Sequence, residues 1–431
     1  MDAVFIKPSG EREALETMPD KGEELCILNV YPQLKGQEFK GFGGAMTQSV
    51  GVVLESLTKE MTDEALRACF SSDGLGYNRL RCPLDSCDFS TEPYCAYDQG
   101  QVSPAMDDRY IIPWIKRAYE IAGRRLAVML SPWSPVAFMK DNRMRQKGGH
   151  LLPLFRKAWA SYIISYIEHY QDAGIYVDSV SIQNEPNAVQ SWDSCIYTAE
   201  EEKAMLKVLY NELKSRGQDI KIYCWDHNKE RLLDRALGLI DPETLPMIGG
   251  FAFHWYSGDH FEALSELCRL YPDKSLAFSE GCIEFSKFSP DDEASAAFHY
   301  DHEIIGNLRS GMDSFYDWNI VLDHQGGPNY VGNYCASPIM ADEGFRSLHY
   351  CKSFSHIRLF SSLLDCPAIR LATTSFSPSL EAVAFRRKDA RIVVFALNAS
   401  RASLAFYVRC NGSLFQACLQ PGELGAVLIS L

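Results

Sequence analysis

Two short segments of the chain carry residues whose types and spacing could do chemistry. Ser181-Ile182-Gln183-Asn184-Glu185-Pro186-Asn187 and Ala277-Phe278-Ser279-Glu280-Gly281 each bring an apolar run to a glutamate. Each glutamate precedes a residue that interrupts a strand. Pro186 has no N–H to give a ladder, and Gly281 lets the backbone turn sharply. A pair of carboxyl groups is what glycoside cleavage requires: one protonates the leaving oxygen and the other attacks the anomeric carbon. The acid must hold a proton before attack, so its pKa is expected to be raised. The nucleophile must be ionised and hydrogen-bonded. One glutamate at a strand end is more often a solvated or salt-bridged residue; it is the pair that points to catalysis.

The elements that must position this pair read as alternating strands and helices. Strands are expected at Gly41–Met46, Tyr77–Cys82, Leu126–Leu130, Ser179–Gln183, Lys221–Cys224, Gly250–His254, Ser275–Ser279 and Ser314–Trp318. Helices are expected between them at Asp107–Ala122, Leu154–Ala173, Ala199–Ser215 and Pro290–Leu308. Asp291-Asp292-Glu293 behind Pro290 is a start signal, because early acids favour the helix dipole. Eight parallel strands with helices between them close into an α/β TIM barrel. Glu185 and Glu280 then fall at the C-terminal ends of the fourth and seventh strands, the face where barrel enzymes keep their chemistry. Past Cys351 the pattern changes to consecutive short strands at Ala368–Thr373, Leu380–Arg387, Ile392–Asn398, Ser403–Cys410 and Ala426–Leu431. That is a smaller antiparallel β-sandwich domain. The expected division is a barrel over 38–345 and a sandwich over 350–431, joined by an N-terminal strand at about 24–32, with Glu24–Tyr31 as its candidate.

The two glutamate segments resemble the fourth- and seventh-strand signatures of clan A glycoside hydrolases, and family 30, with its glucosylceramidases and β-1,6-glucanases, is the best match. The resemblance extends to Phe42-Gly43-Gly44-Ala45-Met46-Thr47, Arg81-Cys82-Pro83 with Ser86-Cys87-Asp88-Phe89-Ser90, and Ser131-Pro132-Trp133-Ser134-Pro135. It continues through His254-Trp255-Tyr256, Asp317-Trp318-Asn319, Gly326-Gly327-Pro328-Asn329-Tyr330 and Gly332-Asn333-Tyr334, in the family's order from about residue 40 to 340.

The resemblance implies that Glu185 is the general acid/base and Glu280 the nucleophile. It implies that Asn184 bonds the sugar 2-OH, that Arg81 steadies the nucleophile, and that Tyr256 donates a hydrogen bond to it. His254 is either part of that network or a core histidine satisfied by its neighbours. Asp88, Trp133, Trp318 and Asn333 match positions lining the −1 sugar subsite, and Trp192 is a candidate for the aglycone side. Two departures bear on the aglycone: the loop after the fourth strand is short, and Asp85 stands where a small or apolar residue is expected. The implied activity is a retaining β-glycosidase, exo-acting on β-glucosides and glucosylceramidase-like, with a sphingolipid among the candidate substrates. The alternatives are a β-xylosidase, an endo-acting β-1,6-glucanase or xylanase, and, more remotely, a non-catalytic carbohydrate-binding homologue.

Composition removes other classes. A net charge of −14 with no basic block argues against a nucleic-acid partner. The start of the chain lacks a signal-peptide pattern, and no apolar run approaches the ~18 residues of a spanning helix, so no membrane insertion is expected. Fourteen cysteines are scattered without a CxxC pair. They read as thiols of a reducing, cytoplasmic compartment, with Cys282 a small buried hydrophobe beside Glu280. No cofactor and no metal are expected, and the partner is a carbohydrate or glycoconjugate substrate.

Overall fold

The computed structural model describes residues 1–23, 25–98 and 100–430. Its centre is a closed barrel of eight parallel strands: Gly41–Ala45, Arg79–Leu84, Ala127–Pro132, Val177–Ser181, Lys221–Asn228, Gly250–His254, Ser275–Glu280 and Ser314–Asp317. Each strand pairs with the next in the chain, and the eighth closes onto the first through Ser314–Gly41 and Asp317–Gly44.

The barrel is filled, not hollow. Met129, Tyr223, Ala252, Ala277 and Tyr316 form one small buried apolar cluster within it. Toward the C-terminal ends of the strands the buried side chains become polar: Arg81, Ser131, Ser181, Asp226 and Ser279 are all closed to solvent. Such groups persist inside a protein only when bonded to one another, and this layer is the floor of the site described below. The outer strand faces, with Leu80, Leu130, Val180, Phe253, Phe278 and Phe315 among them, pack under the helical ring in the main hydrophobic core.

Local signals explain most helix bounds. Ala199–Ser215 begins at a capping box, where Thr198 accepts from the Glu201 N–H and the Glu201 carboxylate accepts in return from the Thr198 N–H. Glu293–Arg309 begins at Asp292, whose side chain accepts from the Ser295 N–H. The single helix expected over Asp107–Ala122 is instead two, Ala105–Tyr110 and Ile112–Ala122. Pro113 has no N–H to continue the ladder, and its ring crowds the preceding turn.

The second domain is a ten-stranded sheet to which both ends of the chain contribute. Four N-terminal strands join it: Asp2–Ile6, Arg12–Leu15, Thr17–Pro19 and Ile27–Phe39. The expected strand at Glu24–Tyr31 overlaps the last of these, although Glu24 itself lies outside the described residues. Ile27–Phe39 runs antiparallel to Ala368–Ser375 on one side and parallel to Leu404–Cys410 on the other. One pairing thus departs from the antiparallel expectation, because a strand from before the barrel is inserted among strands from after it. Ser413–Leu419, not anticipated in the sequence, forms a hairpin with Leu404–Cys410. Phe406 and Phe415 are buried in the sandwich core, which suits a packing role for these aromatics. Helix Lys352–Leu363 bridges the two units, with His356 bonded to Asp301 of Glu293–Arg309 at 2.7 Å. No helix among the described residues is long and apolar enough to cross a membrane.

Candidate active site

Glu280 is the last residue of the seventh strand, and both of its carboxylate oxygens are held. Arg81 Nη1 donates to Oε2 at 2.7 Å, and the Tyr256 hydroxyl donates to Oε1 at 3.1 Å. Arg81 is fully buried. Its remaining donors reach Asn184 Oδ1 at 2.7 Å, Asp226 Oδ2 at 3.0 Å and Ser131 Oγ at 3.1 Å. The guanidinium lies 4.9 Å from the Trp133 ring centre and 5.6 Å from that of Trp318, and the two indoles stack on each other. A planar fork with five donors makes all these contacts at once; a lysine ammonium could not.

Glu185 lies four residues beyond the end of its strand, not at its tip, and adopts a left-handed φ of 48° that no strand continues. Two backbone bonds fix it there: the Asn184 N–H donates to Pro132 C=O at 2.8 Å and the Glu185 N–H to Asp226 C=O at 2.9 Å. Its Oε1 meets His254 Nδ1 at 3.2 Å and lies 3.4 Å from His227 Nδ1. Gly281 has a different role from the one expected. It needs no unusual turn; a β-carbon there would come within 2.4 Å of Phe278 and 2.6 Å of Trp255.

Asp226 was not foreseen. It accepts from Arg81 Nη2 and Ser131 Oγ on Oδ2, and from Ser279 Oγ at 2.6 Å and His254 Nε2 at 3.2 Å on Oδ1. The fifth strand carries a register shift between Trp225 and His227, with Trp225 and Asp226 both at positive φ. A bulge breaks the alternation of side chains, so both Asp226 and its neighbour His227 face the barrel mouth. A strand expected to end at Cys224 left both residues in a loop. The signal available was a run of titratable residues, Asp226-His227, at a barrel strand's C-terminal end.

The electrostatics invert one expectation. Burial raises Glu185, but the imidazoles of His227 and His254, 3.4 and 3.2 Å from its Oε1, outweigh it and hold the carboxyl below its ordinary range. Burial also raises Glu280, and there it prevails over the opposing charges of His254 and Arg81, with Glu185 adding to the upward push. Burial works against a charged His254, yet Glu280's charge and the bonds to Asp226 and Glu185 push its pKa up to about 9. Asp226, despite burial, is kept ionised by Arg81 and His254. The proton near Glu185 therefore resides on the imidazole beside it, at hydrogen-bond distance.

Above this layer opens a cavity of about 350 Å³. Asp88, Trp133, Asn184, Glu185, Tyr256, Glu280, Trp318 and Asn333 all line it, while Arg81 and His254 support it from behind. Asn333 Nδ2 donates to Asp88 Oδ2 at 3.1 Å, and burial together with Glu280's charge pushes Asp88 up to about 8. Trp192 and Gln190 also line the cavity, from the loop after Glu185. Asp85 explains its own oddity: it is buried, with Tyr162 and Arg145 bonded to its carboxylate at 2.7 and 2.9 Å. Arg145 also holds Asp193, which anchors the Trp192 loop. Spacing along the chain shows no metal cluster, but the fold gathers one: donor atoms of Glu185, His227 and His254 lie within 4.8 Å of one another.

An eight-stranded parallel barrel with two glutamates across its C-terminal mouth, one clamped by arginine and tyrosine, defines a glycosyl hydrolase site. The chain belongs to glycosyl hydrolase family 30: residues 39–364 match the family's TIM-barrel domain and 368–423 its β-sandwich domain. It is 32% identical over 422 residues to the lysosomal acid glucosylceramidase of Mus musculus, covering 92% of this chain and 82% of the mouse protein. It is 24% identical over 404 residues to an endo-1,6-β-D-glucanase of Neurospora crassa, covering 84% of this chain and 79% of that protein. The crystal structure of SrfJ from Salmonella typhimurium superposes with a TM-score of 0.96 at 34% identity, over the whole of both chains.

Proposed function

We propose that this family 30 enzyme is an exo-acting, retaining β-glucosidase of the glucosylceramidase type, with Glu280 as nucleophile and Glu185 as acid/base. The observation that carries this is the clamp on Glu280. A carboxylate fixed through both oxygens by Arg81 and Tyr256 is oriented for attack and cannot rotate away, and such positioning lowers the barrier by removing the entropy of alignment.

In the first step Glu280 attacks the anomeric carbon as the glycosidic oxygen takes a proton from Glu185. His254, 3.2 Å away, supplies that proton to the carboxyl. The glycosyl ester then forms, and Glu280 loses its negative charge. Glu185, held ionised by its histidines, is in the right state to take a proton from water for the second displacement. Asn184 accepts from Arg81 through Oδ1, which directs its amide nitrogen toward the sugar 2-OH. Asp88 and Asn333 bond sugar hydroxyls opposite Trp133 and Trp318, while Trp192 faces the aglycone.

A cavity near the small end of the roughly 300–1,000 Å³ range of ligand sites suits one sugar ring and the start of an aglycone better than a polymer cleft. The mouse relative's name supports a glucosylceramide-like substrate, and hence a place in sphingolipid metabolism. A reducing compartment such as the cytoplasm suits fourteen unpaired thiols. The test is a side-by-side assay of aryl β-glucoside, aryl β-xyloside, glucosylceramide and the β-1,6-glucan pustulan. The aryl β-glucoside should be turned over at least tenfold more efficiently than the xyloside, with glucosylceramide cleaved. Internal cutting of pustulan, with little action on the aryl glucoside, would favour an endo-glucanase instead.

A further inference from the structure

Glu185 is flanked by two imidazoles, although its proton economy needs only one. His254 gives its Nε2 to Asp226 and turns its Nδ1 to Glu185. His227 Nδ1 is buried without a hydrogen-bond partner, 3.4 Å from the same carboxylate oxygen. An orphaned ring nitrogen aimed at a carboxylate is a donor without an acceptor, or a ligand without its ion. We propose that Glu185, His227 and His254 form a binding site for a divalent transition-metal ion such as Zn²⁺, and that its occupation blocks turnover.

The geometry suits such an ion. Imidazole and carboxylate donors bind Zn²⁺ at about 2.0–2.1 Å, which places tetrahedral donors about 3.3 Å apart. Glu185 Oε1 lies 3.2 Å from one histidine nitrogen and 3.4 Å from the other. One ring nitrogen of His227 and one of His254 lie within 4.8 Å of each other. His254 also has the partner that a ligating histidine usually has, a carboxylate on its far nitrogen, here Asp226 at 3.2 Å. His227 is held by its ring neighbours, 5.1 Å from Trp225 and 6.2 Å from His254 between centres. Both Glu185 and His227 line the sugar cavity, so the fourth position of the ion faces the space a sugar would fill. The bulge in the fifth strand makes this possible by turning two successive side chains, Asp226 and His227, to the same mouth.

An ion there displaces the His254 Nδ1 proton to solvent and takes the lone pair of Glu185 that would receive and deliver a proton, and it sits where the glycosidic oxygen must approach. Inhibition should therefore be competitive with glycoside. This consequence rests on the acid/base role proposed above; the binding itself does not.

Binding is best measured by calorimetric titration of ZnCl₂ into Glu280→Gln protein, so that no turnover is required. His349→Ala should be added to remove the separate Glu293–His349–Cys351 cluster. One site is expected, weakened at least tenfold by His227→Ala and equally by His227→Gln, each checked for an unchanged thermal melt. Co²⁺ should give the strong visible bands of a tetrahedral site, lost in both variants. In the wild-type chain Zn²⁺ should raise the apparent KM for an aryl β-glucoside without changing kcat, and the His227 variants should need at least tenfold more Zn²⁺. No binding, or binding and bands indifferent to His227, overturns the proposal, as does purely noncompetitive inhibition. Binding that depends on His227 in a chain with no glycosidase activity would uphold the metal site and sink the function instead.

Discussion

Glu185 and Asp226 are joined twice. The Glu185 N–H donates to the Asp226 carbonyl at 2.9 Å, and the two carboxylates occupy opposite nitrogens of one imidazole, His254, each at 3.2 Å. The backbone bond sets where Glu185 stands, and the shared histidine sets what charge surrounds it. Arg81 then connects Asp226 to Glu280, so the two glutamates belong to one buried network even though neither touches the other through a direct hydrogen bond in it.

Removing the two glutamates should have different consequences. Glu280→Ala should abolish turnover of every glycoside, because no glycosyl ester forms. Glu185→Ala should cost about 10²–10⁴-fold with unactivated glycosides but spare the first step with good leaving groups. Azide should partly rescue it by attacking the ester. Equal loss on all substrates, with no azide effect, would show the roles to be misassigned.

Early product is expected to be the β anomer by proton NMR, with the α anomer growing in only through mutarotation. Two displacements at one carbon restore its configuration. An initial α product would mean that a water, not Glu280, attacks.

The pH dependence follows from His254. Its pKa is raised from the unfolded value of about 6.5 to about 9. A raised histidine pKa stabilises the fold fully below the unfolded value, and that contribution disappears as pH rises through about 9. The thermal melt should fall across that window, and kcat/KM for unactivated substrates should fall with it as the proton source beside Glu185 is lost. Activated aryl glycosides should be less affected in their first step. In His254→Gln the alkaline drop in melting temperature should be absent; a wild-type melt flat from pH 6.5 to 10 would contradict the assignment.

Asp226→Asn should be both less stable and less active. It leaves Arg81 and His254 buried without one of their counter-charges, and removing one partner of a buried ion pair costs about 3–5 kcal/mol. The loss of stability should be largest at neutral pH and shrink as acid protonates the wild-type carboxylate. Activity should fall by at least about tenfold, since the geometry of both glutamates depends on this residue. Chemical denaturation and steady-state kinetics check the two effects separately; a neutral variant in both would refute the positioning role.

The barrel was legible because short strand-length segments alternate with long helical patterns eight times, and that alternation survives in the sequence. All eight expected strands overlap observed ones, and Gly250–His254 coincides with its strand. The glutamate pair was legible for the same reason. Asp226 and His227 were not, because a bulge is a backbone event with no residue of its own to announce it: Trp225 and Asp226 adopt positive φ without a glycine. The N-terminal strands were hidden differently. Arg12–Leu15 and Thr17–Pro19 are short, largely exposed edge elements with no alternating apolar face to mark them; the first pairs with neighbouring Asp2–Ile6 and the second with distant Ser413–Leu419. The lowered pKa of Glu185 was also out of reach, since it depends on two histidines that only the fold brings together.

The inserted strand Ile27–Phe39 has a consequence for synthesis. Among the described residues it pairs with Ala368–Ser375 and Leu404–Cys410, and Asp2–Ile6 pairs with Leu424–Ser430. On a ribosome making this chain, the barrel can close while its N-terminal strands still wait for partners not yet translated. During that interval their unpaired edges are open to neighbouring chains. A nonsense or frameshift change late in the gene would therefore leave a finished catalytic barrel attached to sticky, unmated strands, and the cell would meet it first as an aggregate.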